Sequence, residues 1–400
     1  MKKFSGAKEQ AMTHDTIVRT DIQGTVGFIT LNRPDKLNAL NIEMIDAIFS
    51  VLRAWEADQE VRVVVMRGAG VRGFCAGGDI RELYAARETR DHLPARRFFE
   101  REYVLDHYVA TYPKPILAFL DGIVMGGGVG LTAGARYRIV TERTRWAMPE
   151  SGIGFFPDVG MRFFLSRLPH HAGRYLALTG ESIGSTILLA LGLAECEVRA
   201  DEQDLLQERL IATLSEASGE GLESPSQEAL EILLRKLCHR FQGDVQSQED
   251  ALLQEDAAQG KEEAFNREVQ AFFQKTEQYF SGDSLKVVIQ KLEAGRADGD
   301  AWADKTLGTL SGRSPTALFV IWEGLRRAQT MRYEETLIED VRLSRHFLEH
   351  GDFYEGIRAQ VIDKDRRPQW RPARMDEVNA EDVERFFEPF ADETKLAFLR

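Results

Sequence analysis

Two glycine-rich turns, each preceded by an apolar run and followed by a helical pattern, constrain the fold most strongly. The first turn (FCAGGD, residues 74–79) comes after residues 61–66, a mostly apolar, β-branched run typical of a buried strand. Asp79 and Glu82 have the spacing of a capping box, and an apolar face follows them. The second turn (DGIVMGGGVG, residues 121–130) follows the run 115–120 and leads into a helix of small residues. The sequence therefore predicts an α/β fold built on strand, glycine turn and helix.

Glycine turns at helix starts also carry a chemical implication. They let a substrate approach the backbone, and free N–H groups there favour negative charge. Two such turns facing each other could hold one carbonyl oxygen between two amides, which is an oxyanion hole. The alternative is that these glycines serve only tight turns and close helix packing; they are Gly77, Gly78 and residues 126–128.

A pair of acids lies in the segment 148–160 (MPESGIGFFPDVG). Glu150 and Asp158 each follow a proline, so the backbone that leads into each acid is partly fixed. Carboxylates held beside apolar residues suit general acid/base or nucleophilic chemistry, because partial desolvation tunes their pKa. In the alternative interpretation, Asp158 is the N-cap of a helix that starts near residue 159, and Glu150 is a solvated turn residue.

Four motifs together resemble the crotonase superfamily, which is the enoyl-CoA hydratase/isomerase family. They are LNRPDKLNAL (31–40), FCAGGDI (74–80), DGIVMGGGVGL (121–131) and MPE (148–150). The resemblance covers about residues 25–192 and 314–383. It implies a crotonase-like spiral of repeated β-β-α units with a helical C-terminal region. It also implies an acyl-CoA ligand, whose thioester oxygen lies between amides matching Gly78 and Gly127. CoA would contact Lys36, Ala76, Gly78 and Asp79.

Two positions indicate the branch of this family. Hydratases of the family place one catalytic glutamate where this chain has Gly130 and a second where it has Glu150. The first is absent here, whereas Asp158 stands where hydratases usually have glycine. This exchange resembles the 3-hydroxyisobutyryl-CoA hydrolase branch, as do residues 98–103 (FFEREY), whose Glu102 matches a substrate-contacting acid, and residues 351–365. Met161 and Arg162 depart from the branch, which puts the shape of the acyl pocket beside Asp158 in question.

The resemblance implies hydrolysis of a 3-hydroxyacyl-CoA thioester, above all 3-hydroxyisobutyryl-CoA in valine catabolism. The catalytic groups would be Glu150, as nucleophile or general base, Asp158, and the amides of Gly78 and Gly127. Glu102, Gly127, Glu150 and Asp158 would bind the acyl part. No metal or redox cofactor is expected. Two alternatives are an enoyl-CoA hydratase or isomerase acting on another acyl-CoA, and a non-catalytic acyl-CoA-binding member of the fold.

Composition limits the partners. A net charge of −13 argues against nucleic acid, which needs clustered Lys and Arg. No apolar run approaches the ~18 residues that a membrane span needs. CoA phosphates would still need local cations, for which Arg33 and Lys36 are candidates, although both could be solvated turn residues. Three scattered cysteines and an N-terminus without an apolar segment favour a reducing, cytoplasmic location.

The chain divides by composition into four regions. Residues 1–15 are expected to be disordered, 16–195 to form the acyl-CoA-binding core, 196–310 to be a polar, mostly helical insertion, and 311–400 to be a helical C-terminal region. A homo-oligomer is open, since crotonase cores often trimerise, but the C-terminal helices could cover that surface instead. A rival motif, GxGxxA at 128–133, satisfies a dinucleotide-binding fingerprint but leaves the FCAGGD turn and the paired acids unexplained.

Overall fold

The computed structural model describes residues 16–89, 92–217, 232, 240–241 and 257–391, and contains two sheets in that part of the chain. The larger sheet has seven strands in the order β1-β2-β3-β5-β7-β9-β10. It is parallel from β2 to β9, with antiparallel pairs at both edges. Its strands are β1 (Val18–Gln23), β2 (Val26–Leu31), β3 (Val63–Gly68), β5 (Ile116–Leu120), β7 (Tyr137–Val140), β9 (Cys196–Glu197) and β10 (Arg240–Phe241).

The smaller sheet consists of three short parallel strands in the order β4-β6-β8. They are β4 (Gly73–Cys75), β6 (Ile123–Met125) and β8 (Arg145–Ala147). The two glycine turns leave the ends of β4 and β6, so this sheet aligns them side by side. The predicted scheme of strand, turn and helix omitted these strands, because three residues are too few to show an alternating pattern.

The helices of the N-terminal half follow the predicted amphipathic patterns. Ile45, Ile48, Leu52 and Trp55 form the buried face of α1, as their spacing predicts, and the hairpin of β1 and β2 turns at Gly24. The helices are α1 (Ile42–Ala57), α2 (Ile80–Ala85), α3 (Leu93–Ala110), α4 (Gly127–Ala133), α5 (Met161–Leu165), α6 (Ala172–Thr179), α7 (Ser185–Ala190) and α8 (Gln203–Ala217).

The described chain after residue 256 is helical and packs onto this core. Its helices are α9 (Ala257–Phe280), α10 (Leu285–Ala297), α11 (Ala301–Ser311), α12 (Pro315–Ala328), α13 (Tyr333–His350), α14 (Asp352–Ile357) and α15 (Ala380–Arg385). Leu318, Ile321 and Leu325 are buried on α12 as their spacing predicts. Phe280, Phe347 and other residues of these helices share one apolar cluster with α1, α3 and α6. The C-terminal helices therefore extend the core of the N-terminal half.

The predicted disordered segment 1–15 and part of the predicted insertion 196–310 fall outside the described residues. The two cysteines that lie in the described residues differ in their bonding. Cys75 is a free, buried thiol, whereas Cys196 in β9 is disulfide-bonded. The inference of a reducing compartment from scattered cysteines is therefore weakened by Cys196.

Candidate active site

One cavity of about 860 Å³ brings together the predicted catalytic, substrate-binding and CoA-binding residues. It lies where the two glycine turns meet the segment 148–160 and helices α3 and α14. The predicted residues that line it are Lys36, Ala76, Gly78, Asp79, Glu102, Gly127, Glu150 and Asp158. A volume of this size suits a drug-sized ligand or a cofactor.

The first glycine turn holds the amide of Gly78 toward this cavity. Leu40 pairs with the turn as in a parallel ladder: its N–H donates to Gly77 O at 2.8 Å, and its carbonyl accepts from Asp79 N at 2.7 Å. Because alternate residues of a strand point their amides in opposite directions, the N–H of Gly78 faces away from Leu40. It has no acceptor among the described residues.

The second turn brings the amide of Gly127 close to the first. Gly127 is the first residue of α4, so its N–H has no partner within the helix. A Cβ on Gly77 would lie 3.5 Å from Gly127 N, and a Cβ on Gly127 would lie 3.4 Å from Gly78 N. The two turns are therefore in contact, with two unbonded amides beside each other.

Two carboxylates close over the second turn. Glu102, on α3, places Oε1 at 2.1 Å from the position that a Cβ on Gly127 would take. Glu150 begins a one-turn 3-10 helix (Glu150–Ile153) and places Oε1 at 2.8 Å from the corresponding position on Gly126. Only glycine fits at either position. Glu102 Oε1 and Glu150 Oε2 are buried and have no hydrogen-bond partner within the described part of the chain.

Asp158 is buried and is held by Tyr103 rather than by a helix start. The Tyr103 hydroxyl donates to Asp158 Oδ2 at 2.7 Å. The interpretation of Asp158 as an N-cap is wrong, since α5 begins later and its N-cap residue is Gly160. Glu150 is also buried, so the interpretation as a solvated turn residue is wrong as well. Val159 has φ of 51°, which is strained for a β-branched residue and marks a backbone held by its surroundings.

Burial and mutual repulsion disfavour ionisation of these acids. Burial is the main cause that raises the pKa of Glu150 well above its ordinary range, and the negative charge of Asp158 is the second cause. The pKa of Glu102 is also raised well above its ordinary range, mainly by burial and further by the negative charges of Asp106, Asp158 and Glu150. Burial raises the pKa of Asp158 to about 7, even though the Tyr103 hydrogen bond lowers it. Buried acids with raised pKa values in a cleft are typical of acid/base sites.

Of the two predicted cations, Lys36 lines the cavity and Arg33 does not. Arg33 is buried and bonds Asp79 Oδ2 at 2.9 Å, and half-exposed Lys36 approaches the same oxygen at 3.3 Å. Although burial opposes ionisation, hydrogen bonds from Arg33 and Lys36 hold the pKa of Asp79 below its ordinary value. Asp79 is the N-cap residue of α2, as its spacing with Glu82 predicts, but its carboxylate makes no capping hydrogen bond, so the predicted capping box does not form. The interpretation of Arg33 as a solvated charge is also wrong.

The sequence analysis did not identify four cations and one aromatic ring of this cavity. They are Arg72, Arg81, Arg313, Lys364 and Phe353, and none of the four cations forms an ion pair within the described chain. Lys364 and Phe353 come from the C-terminal region, far from the motifs in sequence. No local pattern could have placed them here, although the matching run 351–365 was the available signal.

Arg162 does not shape the cavity. It is fully buried and points into the C-terminal helices, where it bonds Asp340 Oδ1 through Nη2 at 2.6 Å and Glu339 Oε2 through Nη1 at 2.6 Å. Asp340 Oδ2 also accepts the N–H of Gly160 at 2.8 Å. The unusual Arg162 thus fixes the turn that follows Asp158.

The parallel sheet, the paired glycine turns and the acid-lined cavity define an enzyme of the crotonase type. The family described as Enoyl-CoA hydratase/isomerase matches residues 26–387, and the chain belongs to this family. A mitochondrial 3-hydroxyisobutyryl-CoA hydrolase of Gallus gallus is 37% identical over 370 residues, covering 92% of this chain and 88% of that protein. The Homo sapiens protein of the same name is 34% identical, covering 97% and 90%.

Two solved structures share the fold over nearly the whole chain. A carnitinyl-CoA dehydratase from Mycobacterium thermoresistibile superposes with a TM-score of 0.78 at 34% identity, covering 95% of this chain and 99% of that one. An enoyl-CoA hydratase from Rhodobacter sphaeroides 2.4.1 gives a TM-score of 0.76 at 32% identity, covering 94% and 99%. The predicted crotonase fold is confirmed.

Other site types find no support in the described residues. The glycines of the GxGxxA motif lie inside α4 instead of in a turn before it, and a Cβ on Gly128 would lie 2.7 Å from Cys75 Cβ. No group of three or more His, Cys, Asp or Glu side chains in the described chain is placed to hold a metal ion. None of the described helices is both long and apolar enough to cross a membrane.

Proposed function

We propose that this chain hydrolyses a 3-hydroxyacyl-CoA thioester, and that its substrate is 3-hydroxyisobutyryl-CoA, an intermediate of valine breakdown. The observation that carries the proposal is the meeting of two unbonded amides with three buried acids in one cavity. The names of the relatives support the same choice of substrate.

The amides of Gly78 and Gly127 would polarise the thioester carbonyl. Attack on the carbonyl carbon turns its oxygen into an oxyanion, and preorganised N–H donors stabilise this charge without reorganising. Both turns are held by their surroundings, because Leu40 hydrogen-bonds the first and Glu150, Glu102 and Cys75 lie close against the glycines of the second. Loss of one such donor typically costs ~100- to 1000-fold in rate.

Glu150 would act in one of two ways. Its carboxylate oxygen attacks the carbonyl carbon, the C–S bond breaks, and water then hydrolyses the resulting mixed anhydride. Alternatively, it takes a proton from a water whose oxygen attacks the carbon directly. Both routes need the ionised carboxylate, and its raised pKa makes that carboxylate a stronger base once formed.

Asp158 and Glu102 would orient the 3-hydroxyl of the acyl group. Glu102 Oε1 is buried without a partner, as expected for an atom that waits for a substrate hydrogen bond. Asp158 could also help to protonate the departing sulfur. Little acid assistance is needed there, since a thiol with a pKa of ~8.5 leaves readily. The mechanism uses no metal and no redox cofactor.

Cations at the mouth would hold the CoA phosphates. Lys36, Arg72, Arg81 and Lys364 lie there beside Asp79. The four cations form a local positive patch on a chain whose net charge is −13, and charge-assisted bonds to phosphate are among the stronger hydrogen bonds. Ala76 and Gly78 would contact the part of CoA nearer the thioester.

The alternative is a hydratase or isomerase, which the names of the two structural neighbours favour. A hydratase of this family needs a second glutamate at the position of Gly130, and Gly130 has no room for one: a Cβ there would lie 2.3 Å from Val159 Cβ. A non-catalytic acyl-CoA-binding protein is disfavoured, because buried acids without partners cost stability and are retained for chemistry.

An acyl-CoA panel with free-thiol detection tests the proposal. The chain should release CoA thiol from 3-hydroxyisobutyryl-CoA, and it should not hydrate crotonyl-CoA at a comparable rate. The matched control is Glu150→Gln, which keeps the shape of the side chain and removes the charge. Crotonyl-CoA hydration without thiol release would promote the hydratase alternative, whereas binding of every acyl-CoA without turnover would promote the non-catalytic one.

Location and assembly remain proposals from the sequence alone. A cytoplasmic location is the prediction, and the vertebrate relatives are named mitochondrial. Cell fractionation tests this prediction. Light scattering distinguishes a homo-oligomer from a monomer in which helices α9–α15 cover the trimer surface.

A further inference from the structure

Tyr103 immediately follows Glu102 on α3 and has a contact that no sequence motif explains. Its hydroxyl donates to Asp158 Oδ2 at 2.7 Å, and the two residues are 55 positions apart in the chain. Tyr103 is fully buried and Asp158 is 5% exposed. Bulk water therefore does not compete for this hydrogen bond, and a bond to a charged acceptor in such a setting is strong.

Tyr103 is also the one side chain in the described structure that donates a hydrogen bond to Asp158. The groups around Asp158 are otherwise mostly acidic. Across α3, α5, α13 and the segment 148–160 they are Glu102, Asp106, Arg162, Asp340 and Glu150. The sole cation of this set, Arg162, is already bonded to Asp340 and Glu339. The orientation of the Asp158 carboxylate thus depends on Tyr103.

Helix α3 links this hydrogen bond to the other substrate-facing acid. The helix runs for 18 residues and packs against α1, α4 and α13, so consecutive residues keep a fixed relation. Glu102 faces the cavity over Gly127, and Tyr103 reaches Asp158 from the adjacent position. Helix α3 therefore fixes the positions of both Glu102 and Asp158 relative to the cavity. Oδ2 accepts the Tyr103 hydroxyl, whereas Oδ1 of Asp158, which lines the cavity, accepts no side-chain hydrogen bond within the described residues.

We propose that Tyr103 is a positioning residue that aims Asp158 at the 3-hydroxyl of the substrate and thereby sets the preference for 3-hydroxyacyl over plain acyl groups. This inference rests on the proposed function. A site built to hydrogen-bond a hydroxyl discriminates strongly against analogues that lack it, but only while its own polar groups stay correctly placed. Tyr103 acts through Asp158 and does not itself contact the reacting atoms.

The test compares Tyr103→Phe with the parent on 3-hydroxyisobutyryl-CoA and on isobutyryl-CoA, which differ only in the hydroxyl. The variant should lose roughly 10- to 150-fold in kcat/KM on the hydroxylated substrate, the worth of a hydrogen bond to a charged group. It should lose less than about threefold on isobutyryl-CoA, so the ratio between substrates falls. Thermal melting of both proteins confirms that the variant is folded.

Tyr333→Phe is the matched control. Its hydroxyl oxygen is likewise buried, close to Asp106 and Asp340, but it has no hydrogen-bond partner within the described residues. Its removal should leave the ratio between the two substrates unchanged.

The outcomes separate this inference from the proposed function. Equal losses on both substrates, or no loss on either, would overturn the role of Tyr103 while leaving the hydrolase intact. A Tyr103→Phe protein that melts far below the parent but keeps the ratio would assign Tyr103 a structural role only. A parent that releases no thiol from 3-hydroxyisobutyryl-CoA would overturn the proposed function, and the inference would fall with it.

Discussion

Val159 occupies the space that a side chain at Gly130 would need. A Cβ on Gly130 would lie 2.3 Å from Val159 Cβ, and Val159 is fully buried at φ of 51°. The position that carries a catalytic glutamate in the hydratases of the family is thus closed by the residue after Asp158. The two features that suggest a hydrolase, a glycine at 130 and an acid at 158, are therefore coupled by steric contact.

This coupling predicts the effect of Gly130→Ala. The new methyl group would push Val159 and the adjoining Asp158, so we expect a loss of roughly 1–3 kcal/mol in the free energy of unfolding, together with reduced thiol release. Adding Val159→Gly should relieve the clash, so the double variant should be less destabilised than the sum of the singles. Denaturant unfolding of all three variants measures this.

The control is Gly308→Ala, on α11, where a new Cβ meets nothing within 4 Å. It should be neutral or stabilise by up to ~1 kcal/mol, as alanine does in a helix. Strictly additive effects of Gly130→Ala and Val159→Gly would show that the two positions do not compete for space.

A second prediction concerns Gly127. Its backbone lies outside the left-handed region, so alanine is permitted by φ, but the methyl group would lie 2.1 Å from Glu102 Oε1. Gly127→Ala should therefore displace the acid or the turn that carries the amide, and lose on the order of 100-fold in kcat/KM. Gly312→Ala, where the nearest atom would be 3.6 Å away, should keep full activity. Near-parent rates for Gly127→Ala would contradict the placement of the oxyanion donor.

The residues around this site show which features the sequence can predict and which it cannot. Motif order located Gly78, Gly127, Glu150 and Asp158, because each lies in a short segment whose local pattern is distinctive. The same local pattern could not decide whether Asp158 caps a helix or faces a cavity. That choice depends on Tyr103, which approaches from a distant helix.

Contributions from the C-terminal helices escaped prediction for the same reason. Lys364 and Phe353 reach the cavity from more than 190 residues beyond Asp158, and Arg162 finds its partner Asp340 at a separation of 178 positions. Such pairings are fixed by packing between elements, and no periodicity within one segment encodes them. The apolar spacing on α1 and α12, by contrast, predicted their buried faces, because burial of a helix face is a local property.

A third prediction tests the cations at the mouth. Lys36 is half exposed and lies 3.3 Å from Asp79 Oδ2. Lys36→Glu should raise KM for the acyl-CoA roughly two- to tenfold and change kcat little, because a contact remote from the thioester contributes uniform binding. Lys286→Glu, an exposed change on α10 outside the cavity, is the control. Unchanged KM in the Lys36 variant would remove this residue from the CoA site.

A fourth prediction concerns the buried ion pair of Arg162. Arg162→Met would leave the carboxylates of Glu339 and Asp340 buried without their cation, which typically costs about 3–5 kcal/mol. Chemical denaturation should show this loss. Arg326, an exposed partner of Glu323, provides the control, since Arg326→Met leaves Glu323 paired with Arg327 and should cost less than about 1 kcal/mol. Similar losses in the two variants would mean that Arg162 contributes no more than a surface pair.

The last prediction follows the protonation of Glu150. Burial, then the charge of Asp158, raise its pKa, and both proposed routes need the ionised form. Thiol release should therefore fall as the pH drops through a value well above the ordinary 4.5 of glutamate. Asp158→Asn removes the second cause, so the acid limb of its kcat/KM profile should move to lower pH even though its maximal rate is reduced. Asp304→Asn, which changes an exposed acid on α11, should leave the limb in place. If the acid limb of the kcat/KM profile lies at the same pH in Asp158→Asn as in the parent, the two carboxylates do not interact. If Glu150→Gln releases thiol at the parental rate, Glu150 is neither the nucleophile nor the base.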